Sequence, residues 1–175
     1  TYMAGASHGD FGDSLKQRGR TVMDIITMKF PVSARVGGVS VLVALLLGVP
    51  LGCIAALKRG KFLDNLISVV STCGIAVPSF VICTLLLYFF GVRLQILPTM
   101  GLTSWKHYVM PVMALAFYPT AYIMRLMRSS MLDVLGQDYM RTAKAKGLAG
   151  GKILFKHALR NAILPVITYV GPLLA

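Results

Sequence analysis

Residues 36–57 carry no charged side chain over a length that suits about 30 Å of hydrocarbon at about 1.5 Å per helical residue. That run predicts a membrane-spanning helix. Its Val, Leu and Ile side chains each favour the bilayer centre by about 0.3–0.6 kcal/mol, so Gly48, Pro50 and Gly52 do not prevent insertion. Pro50 predicts a kink and a freed carbonyl that a neighbour must satisfy. Two further runs of spanning length follow, residues 66–92 and 108–127, the latter ending near Arg125, and residues 163–175 begin a fourth. With 56% apolar residues and a mean hydropathy of +0.72, an ordinary soluble domain is excluded. The fold class is all-α, a polytopic helical membrane protein. The missing initiating Met and the apolar C-terminal run are expected of a fragment lacking at least one span.

The net charge of +12 comes from Lys and Arg clustered beside apolar runs, a pattern of juxtamembrane segments facing lipid headgroups rather than of nucleic-acid binding. Eleven Lys or Arg fall in residues 58–61 and 125–160, against seven in residues 1–35 and 93–106, and the positive-inside rule therefore places residues 138–165 in the cytoplasm and 1–35 outside. Cys53, Cys73 and Cys83 lie inside apolar runs without CxxC spacing and are expected as small core residues. His8, His107 and His157 fall in separate polar segments, and no metal site is indicated.

Residues 1–35 form an extracytoplasmic segment and 36–175 a transmembrane domain. Thr21 and Asp24 have capping-box spacing, and the helix they open is expected to end at Pro31 and to lie at the interface. Trp105 and Tyr108 stand where an interfacial aromatic belt belongs. Pro78, between Gly74 and Ser79, marks a break in the second span that either lines a cavity or lets two helices fit together. Ser79, with Tyr118 and Tyr122 around Pro119, either faces a wet path or bonds helix to helix.

The cytoplasmic segment of about residues 128–162 holds a short helix from about residue 139 to 146, capped by Asp138 and ended by Gly147 in a left-handed conformation. Met140, Ala143 and Gly147 share a narrow face suited to docking in a groove, and eight residues need a partner or the rest of the fold to hold them. Beyond Gly150 and Gly151, Lys152, Lys156 and Arg160 repeat every four residues as a basic stripe that headgroups explain. The segment reads either as a partner-docking loop or as a headgroup-bound connector.

Residues 139–165 resemble the cytoplasmic loop of permease subunits of bacterial ABC importers of the oligopeptide, dipeptide and nickel branch. The permease signature is Glu-Ala-Ala, three residues, Gly, nine residues, Ile, one residue, Leu-Pro. Ala143, Gly147 and Leu159 match it, while Arg141, Thr142, His157 and Arg160 depart in ways similar to the peptide branch. The segment from His8 through Gly9, Asp10, Phe11, Gly12 and Asp13 to Ser14, and the run of Val77, Pro78, Ser79 and Phe80, are similar to the same branch.

The resemblance implies a type I transmembrane bundle in a bacterial or archaeal cytoplasmic membrane. It implies a permease for di- or oligopeptides, or else nickel or another small solute. Arg141, Thr142, Ala143, Lys144, Ala145, Lys146, Gly147 and Leu148 would couple it to two cytoplasmic ATPase subunits that bind ATP and Mg. A second permease subunit would form a heterodimer with it, and an extracytoplasmic substrate-binding protein would deliver cargo. The chain lacks a Walker loop, catalytic carboxylate pair or nucleophile constellation, so no catalytic residue and no cofactor of its own is expected. The rival classes are an ATPase-independent secondary transporter, for which the complete spans lack an Asp, Glu or Lys, and a membrane sensor.

Overall fold

The computed structural model describes residues 11–17, 19–101 and 103–174, with only the backbone of Lys144. His8, Gly9 and Asp10, Arg18, and the end of the fourth run at Ala175 lie outside the described residues. Two compact units divide the chain, Thr1–Gly38 and Val39–Ala175.

In the first unit the backbone N–H of Val22 donates to Gly12 at 3.0 Å, and that of Ser14 to Arg20 at 2.9 Å, closing a turn beside an Asp13–Thr21 bridge. The capping box is reciprocal: Asp24 N–H donates to the Thr21 hydroxyl at 3.1 Å, and Thr21 N–H to the Asp24 carboxylate at 3.2 Å. It opens α1, Val22–Leu57. The interfacial helix expected to end at Pro31 is therefore corrected, because α1 runs through Pro31. Proline's fixed φ is itself helical, and the helix continues although Pro31 forgoes the bond to the Thr27 carbonyl and its ring crowds that group.

In the second unit, small side chains bring α1 against α4 (Lys106–Leu135). Ser40, Ala44, Gly48, Gly52 and Ala56 recur every four residues on the buried side of α1. A Cβ on Gly48 would stand 2.7 Å from Ile123 Cγ2, and one on Gly52 2.7 Å from the Met124 carbonyl oxygen. The Ser40 hydroxyl donates to the Val112 carbonyl at 3.3 Å. Such close approach replaces the hydrophobic drive that is missing between helices in lipid.

On another side of α4 lies α2 (Phe62–Ala76), where a Cβ on Gly74 would come 2.7 Å from Ala121 Cβ. Val77 and Pro78 then adopt extended backbone, as a residue before proline prefers, and α3 (Ser79–Leu86) continues as a π-helix over Leu87–Arg93. The halves before and after Pro78 bend by 98°, so the break expected at Pro78 is present. By length and composition α1 and α4 suffice to cross a membrane, and the bent pair makes a third if its two halves form one broken span rather than a re-entrant loop.

The chain then forms α5 (Asp138–Ala145), α6 (Gly150–Lys152), a π-helix Ile153–Leu159, α7 (Arg160–Ala162) and α8 (Leu164–Leu174). The main core joins Ala44 and Ala56 of α1 and Ile123, Met127 and Met131 of α4 to Met140, Ala143, Ile153, Ala158, Ala162 and Val166. Of the cysteines expected as small core residues, Cys53 is partly buried and packs against the main core, whereas Cys73 and Cys83 are exposed on this chain.

Candidate coupling segment and translocation groove

Local bonding shapes residues 138–148, the candidate coupling segment. Thr142 Oγ1 donates to the Asp138 carbonyl at 3.1 Å, and Asp138 lies 3.6 Å from Arg141 in an exposed ion pair. Gly147 takes φ +72°, and Leu148 N–H reaches back to the Ala143 carbonyl at 3.4 Å, the Schellman pattern that a C-terminal glycine permits. Leu148 packs on the main core. The expected docking face is corrected: Met140 and Ala143 are buried in the chain's own core, since eight helical residues gain stability by spending their apolar side inward.

Arg141, Thr142, Ala145, Lys146 and Gly147 remain exposed, and a Cβ on Gly147 would meet nothing within 4 Å. For Lys144 only the backbone is described. Asn161 Nδ2 donates to the Tyr139 hydroxyl at 2.9 Å and ties α5 to α7. Lys152, Lys156 and Arg160 are exposed while Ile153, Ala158 and Ala162 are buried.

Beside the basic turn after α1, Arg128 grips Asp64 with Nε on one carboxylate oxygen at 2.5 Å and Nη2 on the other at 2.8 Å. Gly60 N–H donates to the same carboxylate at 2.9 Å. Asp64 is 2% exposed. The second span was expected to begin at residue 66, free of acidic residues; α2 instead begins at Phe62 and takes Asp64 into its first turn, where Arg128 neutralises it. Sequence reasoning missed this pair because its members stand 64 residues apart. Helix α4 continues to Leu135, so the first turns of the segment expected from residue 128 are helical.

At the break, Pro78 and Ser79 line a groove of about 430 Å³ together with Tyr118 and Pro119 of α4. Tyr122 does not line it. One turn along, its ring stacks on Tyr118 at 6.3 Å between centroids and meets Tyr169 of α8 at 4.5 Å. Tyr169 was absent from the expected path residues. The tyrosines at 118 and 122 signalled one helix face, but nothing in one sequence indicates which later helix faces it.

The arrangement is a broken apolar helix against a proline-bearing long one, followed by a short polar-faced helix that re-enters the core. The chain belongs to the family described as binding-protein-dependent transport system inner membrane component, whose model matches residues 48–175, and it has the type I transmembrane fold of ABC permeases. It is 49% identical over 166 residues to the dipeptide transport system permease protein DppB of Bacillus subtilis, covering 95% of this chain and 54% of that protein. It is 41% identical over 174 residues to the oligopeptide transport system permease protein OppB of Salmonella typhimurium, covering 98% and 57% respectively. A DppB of Lactococcus lactis is 37% identical, over 95% of this chain and 55% of that protein. The chain thus spans a little over half the length of the curated relatives it matches.

Proposed function

We propose that the protein is a permease subunit of an ATP-driven importer of di- or oligopeptides, forming half of the translocation pathway in a bacterial cytoplasmic membrane. The observation that carries this is the 49% identity, over nearly the whole chain, to a protein named for dipeptide transport. A second permease would complete the pathway. Two cytoplasmic ATPase subunits would bind ATP and Mg, and an extracytoplasmic binding protein would deliver the peptide. The charge asymmetry supports residues 138–165 on the cytoplasmic side and 1–35 outside.

In this proposal the exposed side of residues 141–147 enters a cleft of an ATPase. Met140, Ala143 and Leu148, seated in the core, carry its displacement to α1, α4 and α8. Pro78, Ser79, Tyr118 and Tyr122 line the path. The complete importer in proteoliposomes is expected to show peptide-stimulated ATP hydrolysis together with uptake. ATP hydrolysis without uptake of any di- or oligopeptide offered would sink the cargo assignment.

Gly147→Trp tests the coupling segment. Its left-handed φ costs a non-glycine residue about 1–2 kcal/mol, and the indole would fill the open space beside it. The assembled variant is expected to lose transport and peptide stimulation of ATPase activity by tenfold or more, about 1.4 kcal/mol per decade. Normal uptake in an assembled variant would remove residues 141–148 from coupling.

A further inference from the structure

Tyr118 and Tyr122 lie near the middle of the long apolar helix α4, and Tyr169 lies in the middle of α8. Their rings run from the groove at the Pro78 break across α4 to α8. Among the described residues none of the three phenol oxygens has a hydrogen-bond partner within the chain, whereas Tyr139 accepts one from Asn161. Tyr118 is exposed and Tyr122 and Tyr169 are partly buried, and no fully buried side-chain oxygen among the described residues lacks a partner, so none of these phenol oxygens is sealed off. A hydroxyl without a partner at hydrocarbon depth is costly. Three adjacent phenols therefore need partners from outside these residues, and water or a polar solute can supply all three.

We propose that Tyr169 completes, with Tyr118 and Tyr122, an aromatic strip that lines the translocation path and hydrogen-bonds the main-chain amides of a peptide in transit. This rests on the importer function above and adds to it a residue and a recognition chemistry. A phenol both donates and accepts, matching peptide N–H and C=O groups whatever the side chains. No charged side chain lines the adjoining groove, so the strip does not select a charged peptide side chain.

The test uses the complete importer in proteoliposomes, with Cys53, Cys73 and Cys83 replaced by Ala. In Tyr169→Cys, a membrane-impermeant, water-soluble thiol reagent is expected to react in at least one of the ATP-free and vanadate-trapped states. Saturating dipeptide should slow that reaction about threefold or more. No reaction in either state overturns the placement, and a rate indifferent to peptide overturns the contact.

Tyr169→Phe keeps the ring and removes the hydroxyl. It is expected to raise the KM for peptide uptake about 3- to 10-fold, the loss of one hydrogen bond, with the maximal rate unchanged. An unchanged KM overturns main-chain bonding. If the wild-type importer takes up no peptide, the cargo assignment and the peptide contact fall together, while labelling of Tyr169→Cys still decides whether the strip lies on the path.

Discussion

Arg128→Met is expected to lower the stability of the solubilised protein by about 3 kcal/mol, seen as a reduced midpoint when the heated protein is followed by size-exclusion chromatography. The loss arises at Asp64, not at Arg128. Arg128 keeps 30% of its side-chain surface, whereas the Asp64 side chain keeps 3%, so removing the guanidinium strands a carboxylate among helices. The partial exposure of Arg128 sets the expected cost at the lower end for broken buried pairs. Asp64→Leu combined with Arg128→Met removes both charges and should recover most of the loss, while Arg128→Lys should fall between because it cannot form the two-pronged contact. A single Arg128→Met variant as stable as wild type would show that α2 and α4 do not depend on the pair.

Gly52→Leu is expected to cost more. A Cβ there would lie 2.7 Å from both the Met124 carbonyl oxygen and Met127 Cβ, and 3.2 Å from the Arg128 backbone nitrogen. Backbone atoms of a helix cannot yield as a flexible side chain does. The helices must separate, and overpacking of about 1–3 kcal/mol is joined by loss of contacts along the small-residue stripe. Folded yield should fall sharply with Leu and partly with Ala, whereas Gly37→Ala, where a Cβ meets nothing within 4 Å, should be tolerated. Equal yields from Gly52→Leu and Gly37→Ala would refute the close approach.

Much of the architecture was legible because lipid forces helices and leaves long uncharged runs, and because Thr21, Gly147 and Pro78 act through chemistry confined to a few neighbours. The same locality explains the failures. Pro31 looked like a helix end when judged against its immediate neighbours, yet the uncharged run beyond it carries the helix on. Met140 and Ala143 were correctly put on one face, but whether that face meets a partner or the chain's own core depends on α1 and α4, which periodicity does not reveal. Gly48 and Gly52 were tolerated in the sequence when their four-residue spacing, continued by Ala44 and Ala56, already carried the signal for a helix contact. Asp64 with Arg128, and Tyr122 with Tyr169, are pairings made only in three dimensions.

The π-helical turns over Ile153–Leu159 have a consequence for angular phase. Five residues advance an ideal α-helix by about 500°, well past a full turn, which would swing Ala158 away from the side that Ile153 occupies. The wider i→i+5 winding returns both to the core, and Ala162 and Val166 follow at intervals of four. The segment thus acts as a phase corrector between the short polar-faced helix and the membrane helix it feeds. An inserted or deleted residue there would rotate Tyr169 relative to α4 without changing a single side chain on the strip.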